Sequence, residues 1–161
     1  RRIHEADFII IGPADKTPFV DKIHELSQDI DNLYILDPVP YADLWKITVS
    51  ADFGYVYTEP INRCYEMATP NKMFEYMAAG LPTFTINTSG TREIISQIQG
   101  DNPLFVLPES IDEAADYVLQ KLRARNIARY QQAAYTLAEH TFNKEIEGQK
   151  LVDAYTALNC R

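Results

Sequence analysis

The sequence has few of the residues that would indicate a disulfide framework, a zinc site or a membrane span. It contains only two cysteines in 161 residues, Cys64 and Cys160, and they do not form a C-x-x-C motif. Neither a disulfide framework nor a bound metal is therefore predicted, and a reducing compartment is the simplest interpretation. No apolar run approaches the roughly 18 residues of a membrane span. We expect a cytoplasmic protein.

Basic residues are also in the minority. The chain has 15 lysines and arginines against 23 aspartates and glutamates, which gives a formal net charge of −8. Nucleic-acid binding depends on basic patches that neutralise phosphates, so this balance argues against a nucleic-acid partner. The length suits a single domain with a real hydrophobic core, and we expect residues 1–161 to form one domain.

Short apolar runs alternate with helical patterns along the chain. The first run, residues 7–11, ends at Gly12-Pro13 and is typical of a strand buried on both faces. Thr17-Pro18 then predicts a helix start, with threonine as N-cap and proline in the first turn. Connections long enough for helices favour an α/β fold with a parallel sheet covered on both faces. The predicted strands are residues 7–11, 32–37, 53–57, 83–86 and 104–107.

The last third of the sequence is predicted to be helical. Ser110 and Glu113 match a capping box, and apolar residues at helical spacing follow from Ile111 to Leu122. Two further helices follow. The last of them is predicted to carry an apolar face made of Leu151, Ala154, Tyr155 and Leu158.

The central stretch, residues 66–82, predicts one helix with an accessible face. Thr69 is the expected N-cap and Pro70 the first helical residue. Proline has no backbone N–H, and this costs nothing in the first turn of a helix, where the N–H groups have no partner within the helix. Gly80 and Pro82 predict the end of the helix. The predicted core-facing residues are Met73, Phe74, Met77 and Ala78, and the opposite face has Lys72, Glu75, Tyr76 and Ala79.

The accessible face predicts a nucleotide site. A helix N-terminus carries free N–H groups and about half an elementary positive charge, and Lys72 adds a full charge in the first turn. Glu75, one turn further along, is an acceptor suited to ribose hydroxyls. Residues 58–69 follow a predicted strand at the sheet edge where α/β proteins bind ligands. Phosphate at the helix tip and ribose beside it describe a nucleotide.

Residues 69–82, Thr-Pro-Asn-Lys-Met-Phe-Glu-Tyr-Met-Ala-Ala-Gly-Leu-Pro, resemble the donor-site segment of GT-B glycosyltransferases. The similarity is to the large retaining family called glycosyl transferases group 1, and Ser89 to Ile95 resembles the helix start that follows in that family. The resemblance implies a Rossmann-like C-terminal half of a GT-B fold. It also implies a UDP- or GDP-sugar as donor substrate, without a further cofactor. Transfer to a glycan or lipid-linked acceptor, in cell-surface polysaccharide synthesis, is the implied function.

The resemblance implies that Glu75 holds the ribose. The family usually has a second glutamate eight residues earlier, which contacts the donor sugar, whereas here Glu66 lies nine residues before Glu75. Either the loop is shifted by one residue or this role is absent. The candidate catalytic residues are Glu66 and Lys72, and the candidate donor-binding residues are Arg63, Thr69, Asn71, Lys72 and Glu75.

Several alternatives stay open at this point. Lys72 and Glu75 also have the i,i+3 spacing of an exposed ion pair. Ser89, Gly90 and Thr91 are explained by a plain N-cap at least as well as by phosphate contact. A nucleotide-sugar 2-epimerase of the same fold would share the site, and a non-catalytic flavodoxin-like binding module belongs to a different class.

In the resembled family, an acceptor-binding domain and a first strand precede the matched residues. We therefore expect an N-terminally truncated domain, which folds but does not transfer sugar by itself. The acceptor would be bound through the missing domain. Peripheral association of the full-length protein with the inner face of the membrane is a further expectation from this family.

Overall fold

The computed structural model describes residues 3–12 and 17–159, apart from the side chains of Phe19 and Asn159. The predicted strand stop at Pro13 and the second cysteine, Cys160, lie outside the described residues. The chain divides into two compact units. Unit 1 consists of Arg1–Thr48 and Glu109–Ala124, and unit 2 consists of Val49–Pro108 and Arg125–Arg161.

Strands and helices alternate as far as the fifth strand, and three helices follow. In chain order the elements are β1 Phe8–Ile11, α1 Pro18–Gln28, β2 Leu33–Leu36, α2 Tyr41–Thr48, β3 Gly54–Tyr55, α3 Arg63–Met67, α4 Asn71–Ala78, β4 Thr83–Thr85, α5 Ser89–Ser96, β5 Leu104–Val106, α6 Ile111–Leu122, α7 Ile127–His140 and α8 Lys144–Asn159. All the described strand pairs are parallel, β1 with β2 and, in a second sheet, β3-β4-β5. The predicted α/β fold with parallel strands, flanking helices and a helical C-terminal part is confirmed.

Unit 1 is built on the β1-β2 pair. Asn32, just before β2, donates its side-chain amide to the carbonyls of Ile3 and Ala6, at 2.7 and 2.6 Å. The Thr17 hydroxyl accepts from the N–H of Val20, so the predicted cap of α1 is confirmed. The prediction that β1 is buried on both faces is wrong. Its residues 8–10 are exposed, and among the described residues helix α1 packs mainly on β2 and not on β1.

The C-terminal helices differ from the sequence predictions in their ends and faces. Ser110 occupies the N-cap position of α6, but its side chain makes no capping hydrogen bond, so the predicted capping box is wrong. Ile111, predicted at a core-facing position, is the first residue of α6 and is 86% exposed. The apolar residues predicted for the last helix, Leu151, Ala154, Tyr155 and Leu158, are all exposed in α8. None of the described helices is both long enough and apolar enough to cross a membrane.

The core of unit 2 surrounds α4. Met73 and Met77 are 0% exposed and belong to a cluster whose other buried members are Val56, Ile94, Leu104 and Leu137. α4 contacts α7 and β4. A second group of contacts joins aromatic rings on the sheet. Phe53 stacks on Phe84 with ring centroids 5.2 Å apart, and the rings of Phe84 and Phe105 are tilted, with centroids 5.5 Å apart. The central helix is therefore held from several directions.

The rotation of α4 about its axis differs in part from the prediction. Ala78, predicted to face the core, is exposed, whereas Tyr76, predicted to lie on the opposite face, packs against the core cluster. The reason lies in β3, where Gly54 has no side chain and the Tyr76 ring fills the space. A Cβ at Gly54 would lie 2.6 Å from the ring carbon Cγ of Tyr76 and 2.9 Å from Oγ1 of Thr83.

We predict that Gly54→Ala destabilises the protein by about 1–3 kcal/mol, because the added methyl group overpacks a closed space. Gly148→Ala in α8 is the matched control, since a Cβ there meets nothing within 4 Å. That change should be neutral or stabilise by up to about 1 kcal/mol through helix propensity. Urea unfolding midpoints measure both effects, and equal midpoints for the two variants would contradict the prediction.

Candidate functional site

The candidate residues all lie in unit 2, in the segment between β3 and β4. This segment contains α3, whose first turn is capped by Asn62: its side-chain oxygen accepts from the N–H of Tyr65 at 3.1 Å. Residues 68–70 connect α3 to α4, and we call them the α3–α4 link. They keep an extended backbone at both ends, at Ala68 and Pro70, so α3 and α4 are separate helices.

The start of α4 lies one residue later than predicted. Asn71 is the first helical residue and Pro70 takes the N-cap position, so the prediction that Thr69 caps this helix is wrong. Proline has no side-chain acceptor, and no side-chain capping bond is present at Pro70. Its carbonyl accepts from the N–H of Met73 at 2.9 Å. Thr69 and Asn71 are exposed beside this helix start.

Lys72 and Glu75 form the ion pair that was one of the alternatives for these two residues. Nζ of Lys72 lies 2.7 Å from Oε2 of Glu75, and their side chains are 52% and 33% exposed. Exposed pairs of this kind contribute only about 0–1 kcal/mol to stability. Lys22 with Glu25 on α1 forms a similar pair at 2.8 Å. Replacing the ion pair between Lys72 and Glu75 by contacts with a ligand therefore has a small cost in free energy.

Glu66 in α3 reaches the start of α5. Its Oε1 accepts from the hydroxyl of Ser89 at 2.6 Å, from the N–H of Ser89 at 2.9 Å and from the guanidinium of Arg92 at 3.2 Å. The two Ser89 hydrogen bonds, together with the positive charge of Arg92, lower the pKa of Glu66 below its usual value. The carboxylate is thus ionised at neutral pH and held at the positive end of a helix, where the macrodipole favours it.

The first turn of α5 also touches the α3–α4 link directly. A Cβ at Gly90 would lie 2.7 Å from the carbonyl carbon of Ala68 and 2.9 Å from the carbonyl oxygen of Met67. The N-cap of α5 is Thr88, whose hydroxyl accepts from the N–H of Thr91 at 3.1 Å. A plain N-cap therefore exists, but it belongs to Thr88, and Ser89 is free to bind Glu66.

The structure brings some candidate residues together and leaves others apart. Lys72 contacts Glu75, and Glu66 contacts α5. Arg63, the first residue of α3, is exposed, and no ion pair involves it within residues 3–12 and 17–159. The sequence analysis did not identify Arg92 or the hydrogen bonds between Ser89 and Glu66. The sequence did offer one sign of this contact, because Glu66 and the start of the helix at Ser89 each follow a predicted strand and so lie at the same edge of a parallel sheet.

Metal binding has no support from the side chains that are described. Nowhere in that part of the chain do three or more histidine, cysteine, aspartate or glutamate side chains lie close enough together to hold a metal ion. The positive charges among these residues are Arg63, Lys72, Arg92 and the start of α4, and Lys72 and Arg92 are paired with the carboxylates of Glu75 and Glu66. Cationic side chains and a helix N-terminus together make an environment suited to an anion.

A family model described as glycosyl transferases group 1 matches residues 1–124, about three quarters of the chain. The chain belongs to this family. The matched region includes the five strands seen in the described residues and every candidate residue named above. Residues 125–161 lie beyond the match, although α7 from this part packs on α4. No curated protein matches the chain.

We predict that Glu66→Gln reduces stability at neutral pH and that the difference from wild type shrinks on acidification. Because the pKa of Glu66 is lowered in the folded state, its contribution is present above the ordinary glutamate pKa of about 4.3. That contribution is lost as the pH falls through the lower folded-state pKa. Urea unfolding midpoints, measured from neutral pH into the acid range, test this.

The control for this experiment is Glu59→Gln, which changes an exposed glutamate in the same segment. It removes one negative charge without removing the contacts to Ser89 and Arg92. A pH-independent difference between Glu66→Gln and wild type would contradict the prediction, and so would an equal effect of the two substitutions.

Proposed function

We propose that the chain is the donor-binding domain of a retaining GT-B glycosyltransferase. In this proposal it binds a UDP- or GDP-sugar, and the full-length protein transfers the sugar to a glycan or lipid-linked acceptor in cell-surface polysaccharide synthesis. The observation that carries the proposal is the start of α4. It has no side-chain cap, it carries Lys72 in the first turn, and Glu75 lies one turn further on the same face.

The start of α4 is suited to a diphosphate. Pro70 supplies no side-chain acceptor, so no side chain of the cap competes with an anion at the start of α4, and the helix dipole favours a negative charge there. Lys72 adds a charge-assisted bond to a phosphate oxygen. Arg63 is an exposed cation in the preceding helix, and we assign it to the same diphosphate. Thr69 and Asn71 offer polar side chains beside the helix start.

Glu75 is suited to the ribose. It sits one turn from Lys72, and its carboxylate oxygens can accept hydrogen bonds from two neighbouring hydroxyls. When Lys72 turns to a phosphate, Glu75 gives up a weak exposed ion pair and gains the ribose hydroxyls in its place. Binding therefore exchanges one set of polar contacts for another and leaves no buried charge unpaired.

Sugar transfer requires that the departing diphosphate be stabilised as its negative charge increases. The fixed N–H groups of α4, with Lys72, supply positive charge at that place without any rearrangement of the helix, because Met73 and Met77 are fully buried. Glu66 would contact the donor sugar. Family membership favours this function over a non-catalytic flavodoxin-like module.

The test begins with thermal-shift measurements against UDP, GDP, ADP and CMP, which identify the preferred base. We then predict that Lys72→Ala weakens binding of the preferred nucleoside diphosphate by roughly 10- to 150-fold. This corresponds to a charge-assisted hydrogen bond of about 1.5–3 kcal/mol. Binding of the free nucleoside should not change. Calorimetric titration of both ligands provides the measurement.

Lys22→Ala is the matched control, because Lys22 forms the same kind of exposed i,i+3 pair on α1. It should leave both affinities unaltered. If Lys72→Ala weakens nucleoside and nucleoside diphosphate equally, Lys72 acts on structure alone and the proposal loses its main support.

A second prediction concerns Glu75→Gln. The substitution should weaken binding of the ribonucleotide several-fold. It should leave the melting temperature of the protein nearly unchanged, since an exposed ion pair contributes little to stability. The 2′-deoxy nucleotide is the discriminating ligand, because it lacks one hydroxyl that the carboxylate would bind. The wild type should lose affinity on going to the deoxy form, and the variant should lose much less. An equal loss in both proteins would remove Glu75 from the ribose site. Glu25→Gln on α1 is the matched control.

A further inference from the structure

The first turn of α5 contacts the end of α3 and the α3–α4 link. We call the contacting residues, Ser89, Gly90 and Arg92, the seat. Two polar groups of Ser89 and the guanidinium of Arg92 all donate to one oxygen of Glu66, Oε1. Arg92 is itself held in place. Its NH2 donates to Oγ of Ser89 at 2.8 Å and its NH1 to Oδ1 of Asn87 at 3.0 Å. The three donors therefore form a connected group.

Close backbone packing reinforces these polar contacts. Gly90 is buried, and the carbonyl groups of Met67 and Ala68 occupy the space that any side chain at position 90 would need. Thr88 and Thr91 are also buried, and the two hydroxyls lie 3.1 Å apart. The first turn of α5 is thus closely packed, and the link lies against Gly90 without intervening side chains.

The geometry leaves one oxygen of Glu66 available. All three described hydrogen bonds of this carboxylate go to Oε1, and among the described residues none goes to Oε2. The side chain is 34% exposed. A carboxylate that is fixed through one oxygen and open at the other is ready to accept a hydrogen bond from a ligand hydroxyl.

We propose that Ser89, Gly90 and Arg92 are positioning residues that hold Glu66 so that its Oε2 accepts a hydrogen bond from a hydroxyl of the donor sugar. The contact with sugar rests on the function proposed above, whereas the seat rests only on contacts within unit 2. This arrangement also accounts for the nine-residue separation of Glu66 from Glu75. Glu66 is drawn to α5, and Met67, at the usual family position, is exposed.

The first measurement tests the seat without any ligand. Hydrogen exchange of the amides of residues 66–68, where the N–H groups of Glu66 and Ala68 are hydrogen-bonded to Asn62 and Tyr65, should be about 3- to 10-fold faster in Ser89→Ala and Arg92→Gln than in wild type. Gly90→Ala should have the same effect where it folds. Ser96→Ala is the matched control, because its hydroxyl contacts Glu93 at the other end of α5. Unchanged exchange in both Ser89→Ala and Arg92→Gln overturns the proposal.

The second measurement tests the role of the seat in sugar binding. The probes are UDP and UDP-glucose, or GDP and GDP-mannose, according to the base that the protein prefers. Glu66→Gln, Ser89→Ala and Arg92→Gln should each raise the Kd of the nucleotide-sugar by about 3- to 10-fold and leave the Kd of the nucleoside diphosphate unchanged. The double variant Glu66→Gln/Ser89→Ala should have the same Kd for the nucleotide-sugar as Glu66→Gln alone, since Ser89 acts through Glu66. Ser89→Thr keeps the hydroxyl and should restore most of the affinity.

The outcomes separate the two proposals. Faster exchange in residues 66–68, with nucleotide-sugar affinities that do not change in any variant, overturns the positioning role and makes Glu66 a purely structural anchor. Absence of binding by every nucleotide and nucleotide-sugar overturns the proposed function and the sugar contact with it. The exchange measurement then still decides whether the seat holds the link.

Discussion

The burial of Met73 and Met77 is the constraint on which the candidate site depends. α4 has only eight residues and no side-chain cap, so its own hydrogen bonds would not keep it helical in water. The two methionines are 0% exposed and anchor it in the core of unit 2. Residues four apart lie on one face of a helix, so fixing these two also fixes the direction of the opposite face. Lys72 and Glu75 are oriented by packing rather than by their own ion pair.

Two glycines permit the close approaches on which this segment relies. Gly54 leaves space in β3 for the Tyr76 ring, and Gly90 lets the α3–α4 link lie against the first turn of α5. In both places the missing Cβ allows a neighbour to come nearer than a side chain would permit. Neither glycine has a positive φ, so the requirement is for space and not for an unusual backbone conformation. Helix α4 is thus packed against β3, and the α3–α4 link is packed against α5.

Much of the fold could be predicted from the sequence, because its signals are local. The strand positions, the Thr17 cap and the existence of α4 depend on neighbouring residues, and the structure contains all of them. Other features depend on partners that are distant in sequence. Periodicity gives the spacing of apolar residues but not the exact direction of each, and the inward direction of Tyr76 is set by Gly54. The contact of Glu66 with Ser89 joins residues 23 positions apart, and no local pattern predicts it.

The candidate residues differ in how firmly they are held, and this difference agrees with the function we propose. Lys72 and Glu75 are joined by one exposed ion pair, which a phosphate and a ribose can replace at small cost. Glu66 is held by three hydrogen bonds to one oxygen and keeps the other available. Residues that bind the departing diphosphate must exchange partners in each cycle, whereas a contact that orients the sugar is most effective when it is fixed beforehand. A weakly paired helix start beside a firmly held carboxylate meets both requirements within one short segment of the chain.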